Sequence, residues 1–101
     1  MSKLVPPYYA VIFTSKLRNE ANGYGETAQK MYDLAMKQPG FLGFKSVRED
    51  IGITISYWKT TDDILSWKEN IEHKEAQARG INEWYASYEI EICLVERRYQ
   101  I

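Results

Sequence analysis

The chain has one cysteine, Cys93, and one histidine, His73. A lone thiol can neither close an internal disulfide nor share a structural zinc, and a lone imidazole with no His-Glu cluster at ligand spacing builds no metal centre. Cys93 therefore reads as a small buried hydrophobe in a reduced compartment. No stretch approaches the roughly 20 apolar residues of a membrane span, and the opening Met-Ser-Lys-Leu-Val-Pro-Pro has no apolar signal core, so a cytoplasmic protein with no membrane association is expected. An excess of charge is missing as well. Thirteen basic residues face 14 acidic ones across 101 residues, with no basic block, which argues against nucleic acid as a partner. Gly40-Phe41-Leu42-Gly43 and Gly23-Tyr24-Gly25 lack the spacing that lets backbone N–H groups cradle phosphates, and no serine sits in a GxSxG elbow. Neither flavin nor nicotinamide is supported, and no cofactor is expected.

What the sequence has in quantity is aromatic residues: three Trp, eight Tyr and three Phe. At this density they fill a core, seal an interface or wall a pocket for a flat ligand. A chain near the modal domain size forms one domain, with about a third of its unfolded surface left wet.

Element order narrows the choice. Tyr8 to Leu17, rich in β-branched and aromatic residues, reads as a strand, and a polar loop from Arg18 to Gly25 follows. Ala28, Met31, Tyr32, Leu34 and Ala35 then recur at helical spacing up to the stop at Gln38-Pro39-Gly40. Phe41 to Arg48 and Ile53 to Lys59 read as a hairpin in which Gly52 supplies a positive φ. Thr61 is an N-cap candidate ahead of Asp62-Asp63. The second helix runs from there towards Arg79, with Ile64, Trp67 and Ile71 on one face, a break near Asn70 and Gly80 closing it. Residues 81–86 are ambiguous between a helical turn and an extended lead-in. Tyr88, Ile90, Ile92 and Leu94 then alternate with Glu89, Glu91, Cys93 and Val95 in a last strand.

The order β-α-β-β-α-β gives an α+β, ferredoxin-like domain: a four-stranded antiparallel sheet with both helices on one face. The uncovered face should be polar in a monomer. It is not, because the first strand offers Tyr9, Val11 and Phe13 on one side but Tyr8, Ala10 and Ile12 on the other. The second strand likewise divides Phe41 from Leu42 and Phe44, and the third sets Ile53, Ile55 and Tyr57 against a face ending in Trp58. A second apolar face of this size predicts a homodimer in which two sheets close on each other.

Ser56-Tyr57-Trp58-Lys59 followed by a helix bearing Trp67, together with Gln38-Pro39-Gly40-Phe41, resembles the antibiotic biosynthesis monooxygenase superfamily of dimeric α+β barrels, over Tyr8 to Arg98. The resemblance implies a pocket between sheet and helices and, in some members, cofactor-independent oxygenation of a small electron-rich aromatic ligand such as a quinol. Other members degrade haem. For that branch Trp58 and Trp67 match in spacing, but Gln77 occupies the position of the haem-ligating histidine and the first strand has no asparagine.

The candidate site residues each carry two readings. His73 is a solvated or helix-capping histidine among charged neighbours, or a catalytic proton relay at a pocket mouth. Trp67 is a core anchor, or a wall that stacks on a planar ring and offers its indole N–H. Trp58, Gln77, Trp84 and Tyr85 are further substrate-binding candidates, with Trp84, Tyr85 and Tyr88 equally readable as interface packing. Tyr32 and Tyr57 read as core. Glu69, Glu72 and Glu75, interleaved with Lys68 and Lys74, form a salt-bridged solvated face rather than paired catalytic carboxylates. A dimeric binding or structural protein with no catalysis is the alternative to an enzyme.

Overall fold

The computed structural model describes residues 4–101, the side chains of residues 71 and 72 excepted. Four antiparallel strands, β1 (Tyr8–Leu17), β2 (Phe41–Arg48), β3 (Gly52–Trp58) and β4 (Tyr85–Val95), pair in the order β2-β3-β1-β4. Helix α1 (Tyr24–Ala35) joins β1 to β2. Helices α2 (Thr61–Glu69) and α3 (Ile71–Arg79), followed by a five-residue π turn at Gly80–Trp84, join β3 to β4. This is the ferredoxin-like α+β architecture that the sequence pattern predicts.

The register aligns four rungs across the sheet. Arg48, Gly52, Ser15 and Tyr88 share one; Ser46, Thr54, Phe13 and Ile90 the next; then Phe44, Ser56, Val11 and Ile92; then Phe41, Trp58, Tyr9 and Leu94. Directly opposed side chains share a face, so these rungs define one side of the sheet. The helices cover that side, since Tyr32 of α1 packs on Phe44 with ring centroids 4.8 Å apart and Trp67 of α2 stacks on Trp58 at 6.1 Å. The other side carries Ala10, Ile12, Ile53, Ile55, Tyr57 and Val47, and Val47 keeps 69% of its surface exposed. The doubly apolar sheet is thus present, and on this second side Val47 and Ile53 are exposed while Ala10 is buried.

Several local expectations are corrected. Phe41 and Phe44 share the helix-covered face, because a bulge between Phe41 and Gly43 adds a residue and resets the alternation. Helix α1 starts at Tyr24, inside the stretch Arg18 to Gly25 read as a loop, and Gly23 precedes it at φ 82°. Thr60, not Thr61, caps α2: its Oγ1 accepts from the Asp63 N–H at 3.0 Å. Gly52 does not take a positive φ, which only Gly23 and Gly40 have among the described residues. Its missing Cβ instead leaves room for the Arg48 guanidinium, which would collide with any side chain there. Gly80 ends α3 in right-handed helical conformation, and its closeness to the Tyr85 ring, 2.6 Å from a built Cβ, is what requires glycine. The break at Asn70 is as expected; the Ile71 side chain, assigned to the Ile64 and Trp67 face, lies outside the described residues.

Candidate functional site

The expected site residues fall into two groups at opposite ends of the helix-covered face. At the first, Asn70 stops α2 by adopting an extended backbone and starts α3 by accepting the His73 N–H on its Oδ1 at 3.2 Å. His73 is thereby fixed three residues into α3, where its ring folds back on α2. The imidazole stacks on the Trp67 indole with centroids 4.1 Å apart and planes 17° from parallel. Its Nδ1 lies 3.0 Å from the Trp67 carbonyl oxygen, one of the carbonyls left over at the end of α2. A carbonyl only accepts, so Nδ1 carries the proton and Nε2 keeps the lone pair. The Gln77 amide nitrogen, 3.4 Å from the same Nδ1, makes a packing contact in that tautomer.

Burial holds the His73 pKa below its ordinary value, against the smaller opposing pull of the Trp67 carbonyl. The imidazole is therefore neutral near pH 7 and competent to accept a proton at Nε2. Trp67 remains partly exposed, whereas Trp58 beneath it is fully buried, packed on Phe41 at 5.5 Å with its Nε1–H donating to Ser56 Oγ at 2.9 Å. Trp58 supports Trp67 from below and has no indole donor left for a ligand.

The second group forms where β4 begins. Trp84 is buried, donates its Nε1–H to the Asn22 carbonyl at 2.9 Å, packs on Tyr24 at 5.6 Å and lies under the Arg79 guanidinium at 4.8 Å. Tyr85 packs on Tyr24 at 5.8 Å, Phe13 at 5.2 Å and Tyr88 at 5.9 Å. Burial, with Tyr24 adding to it, pushes the Tyr85 phenol well above the ordinary tyrosine range while Arg48 pulls it partly back, so it stays protonated. Arg48 Nη2 reaches both the buried Ser15 Oγ and the Tyr24 hydroxyl, the latter at 3.4 Å. Tyr24, Ser15 and Arg48 were not candidates from the sequence. Their separations along the chain, 24 residues for Arg48 and Tyr24 and 33 for Arg48 and Ser15, leave no local signal.

Between the two groups the face is apolar. Phe13, Val11 and Tyr9 line up beside Ile90, Ile92 and Leu94, and each of the last three keeps about half of its surface exposed. The helices leave the β4 side of this strip exposed and cover its β1 side only in part. A depression of about 240 Å³ lies where the sheet turns, lined by Thr14, Lys16, Ser87 and Glu89 of the opposite side together with Ile51 and Tyr88. No group of three or more His, Cys, Asp or Glu side chains among the described residues is placed to hold a metal ion. No helix among them is long and apolar enough to cross a membrane.

The solved structures similar to this one share its fold at low identity. SnoaB from Streptomyces nogalater, a cofactor-independent oxygenase solved as a mutant, superposes with a TM-score of 0.77 at 11% identity, covering 91% of this chain and 96% of its own. A Nitrosomonas europaea protein, provisionally named an antibiotic biosynthesis monooxygenase, gives a TM-score of 0.79 at 14% identity over 91% of this chain and 93% of its own. A Caulobacter crescentus protein of the same provisional name gives 0.78 at 14%, over 90% and 92%. No family model matches the sequence. In sequence, the chain is 50% identical over 95 residues to the uncharacterised protein YqjZ of Bacillus subtilis strain 168, covering 92% of this chain and 83% of that one. The protein thus belongs to the family of Bacillus subtilis YqjZ and has the fold of the antibiotic biosynthesis monooxygenases.

Proposed function

We propose that the protein is a cofactor-independent monooxygenase of a small electron-rich aromatic, quinol-like substrate. The Trp67–His73 pair carries the reading: a neutral imidazole with a fixed tautomer, stacked on an indole that packs on the Trp58 end of the apolar sheet face. In this reaction the substrate hydroxyl gives its proton to His73 Nε2, and the resulting phenolate passes an electron to dioxygen. Recombination forms a C–O bond as a peroxide anion, which takes the proton back from the imidazolium to become a hydroperoxide. Loss of the ring hydrogen with hydroxide leaves a quinone, so one dioxygen becomes the new carbonyl oxygen and one water. The chain's part is to orient the ring against Trp67 and move the proton.

Oxygen uptake with a panel of hydroquinones and naphthols tests this. Turnover above the blank, falling about 100-fold or more in His73→Ala, is expected from the usual worth of a general base. Uptake at the blank rate across the panel overturns it. The exposed Val47 and Ile53 on the side of the sheet away from the helices support a further part of the proposal, that the working form is a homodimer closed over that face, acting in the cytoplasm. Full burial of Trp58 favours a packing role for that residue, the sense in which the non-catalytic reading applies.

A further inference from the structure

We propose that Arg48, with the Tyr24 hydroxyl, binds the carboxylate of an aromatic organic acid whose ring lies along Phe13, Tyr88 and Ile90. The first ground is a surplus of donors. Nη2 of Arg48 is directed at Ser15 Oγ and the Tyr24 hydroxyl, while Nε and Nη1, which together carry three N–H groups, reach no acceptor among the described residues. The Tyr24 oxygen accepts from Arg48 at 3.4 Å, and the Tyr85 ring packs edge-on against Tyr24 at 5.8 Å.

The second ground is charge. Arg48 is only partly exposed and has no carboxylate partner among the described residues, whose ion pairs join Lys74 to Glu69 and Arg79 to Glu83. The planar fork of donors on Arg48 matches the geometry of a carboxylate. Here it is held over the Tyr24 ring, 5.3 Å from its centroid, in the notch left by Gly52. The third ground is continuity of surface. Arg48, Gly52, Ser15 and Tyr88 form one rung of the sheet, and Phe13 with Ile90 forms the next on the same face. Phe13 and Tyr88 lie 5.7 Å apart, and both Tyr88 and Ile90 are exposed. A cation with spare donors thus opens onto an aromatic and aliphatic strip, which matches a flat apolar body bearing one delocalised negative charge.

Anion binding at this place does not depend on the oxygenase reading. Its test is titration of the full chain with 1-naphthoate and with neutral 1-naphthamide, followed by calorimetry and amide chemical shifts. Naphthoate is expected to bind at least 10-fold more tightly than the amide, with shifts centred on Ser15, Tyr24, Arg48 and Tyr88. Arg48→Met should remove that preference, Tyr24→Phe should reduce it, and His73→Ala should leave it intact. If Arg48→Met does not fold, Arg48→Lys keeps the charge but removes the planar donors, and a several-fold loss is expected there. Equal affinities for naphthoate and naphthamide, no binding of either, or an unchanged preference in a folded Arg48 variant each overturns the assignment.

Discussion

The His73 imidazole lies face to face with the Trp67 indole at 4.1 Å and is bonded through Nδ1, at 3.0 Å, to the carbonyl of the same residue. Residue 67 thus fixes both the plane and the tautomer of residue 73. The Trp67 carbonyl also accepts the Asn70 N–H at 3.1 Å, so the end of α2, the start of α3 and the histidine form one unit.

Burial of that unit has a sign that can be measured. The folded imidazole titrates below its ordinary value of 6.5, while the unfolded one titrates near it. Between the two values the unfolded chain binds more protons, so unfolding free energy rises with pH in that window and is level above it. The cost of the buried neutral ring appears as pH falls from about 6.5 and is complete once the folded group is protonated. NMR titration of the His73 ring should give a midpoint under 6.5, and denaturant midpoints should drop on acidification in this window less steeply in His73→Gln. A midpoint at or above 6.5 contradicts the burial argument.

The turn before β2 makes a separate demand. Gly40 sits at φ 79°, and a Cβ there would run into the Asp63 side chain. Asp63 is the residue that Thr60 caps, with its carboxylate 2.8 Å from the Thr60 hydroxyl. Gly40→Ala combines backbone strain with displacement of the cap and should cost about 1–3 kcal/mol. Thr60→Ala should cost about 1 kcal/mol through the cap alone. Urea unfolding separates the two, and a Gly40→Ala protein as stable as the wild type would show that the turn relaxes freely.

The sheet face away from the helices leads to an association experiment. Light scattering over a concentration series should give about twice the 11.9 kDa chain mass. Ile53→Glu, which places a charge on the face opposite the helices, should return it to the chain mass with the far-UV spectrum unchanged. The chain mass at every concentration for the unmodified protein would remove the dimer from the proposal.

The element order was legible because its signals are local: alternation in β4, helical spacing before Gln38-Pro39, and an asparagine that can end one helix and cap the next. The faces of β2 were not, since the bulge between Phe41 and Gly43 follows from pairing with β3 rather than from any residue preference. Of the site, Trp67, His73 and Gln77 were visible together because one helical stretch carries them. Arg48 escaped notice because its partners come from β1 and α1, and Gly52 was misread because a glycine beside a hairpin looks like a turn residue until its neighbour's side chain is known.

That misread glycine allows the organic-anion site to be disturbed without touching any residue that would contact the ligand. An added methyl at position 52 would fall on the Arg48 guanidinium, which is the far end of a flexible side chain and can swing away into solvent. The backbone at Gly52 has no positive φ, so alanine brings no backbone strain of its own, and loss of the Arg48 bond to the buried Ser15 hydroxyl should cost about 1–3 kcal/mol. Displacing the guanidinium separates it from Ser15 and Tyr24, and naphthoate should then bind no better than naphthamide. A folded Gly52→Ala protein that has lost this preference ties anion binding to the placement of Arg48 rather than to its charge alone. Retention of the preference would mean that the carboxylate is held elsewhere.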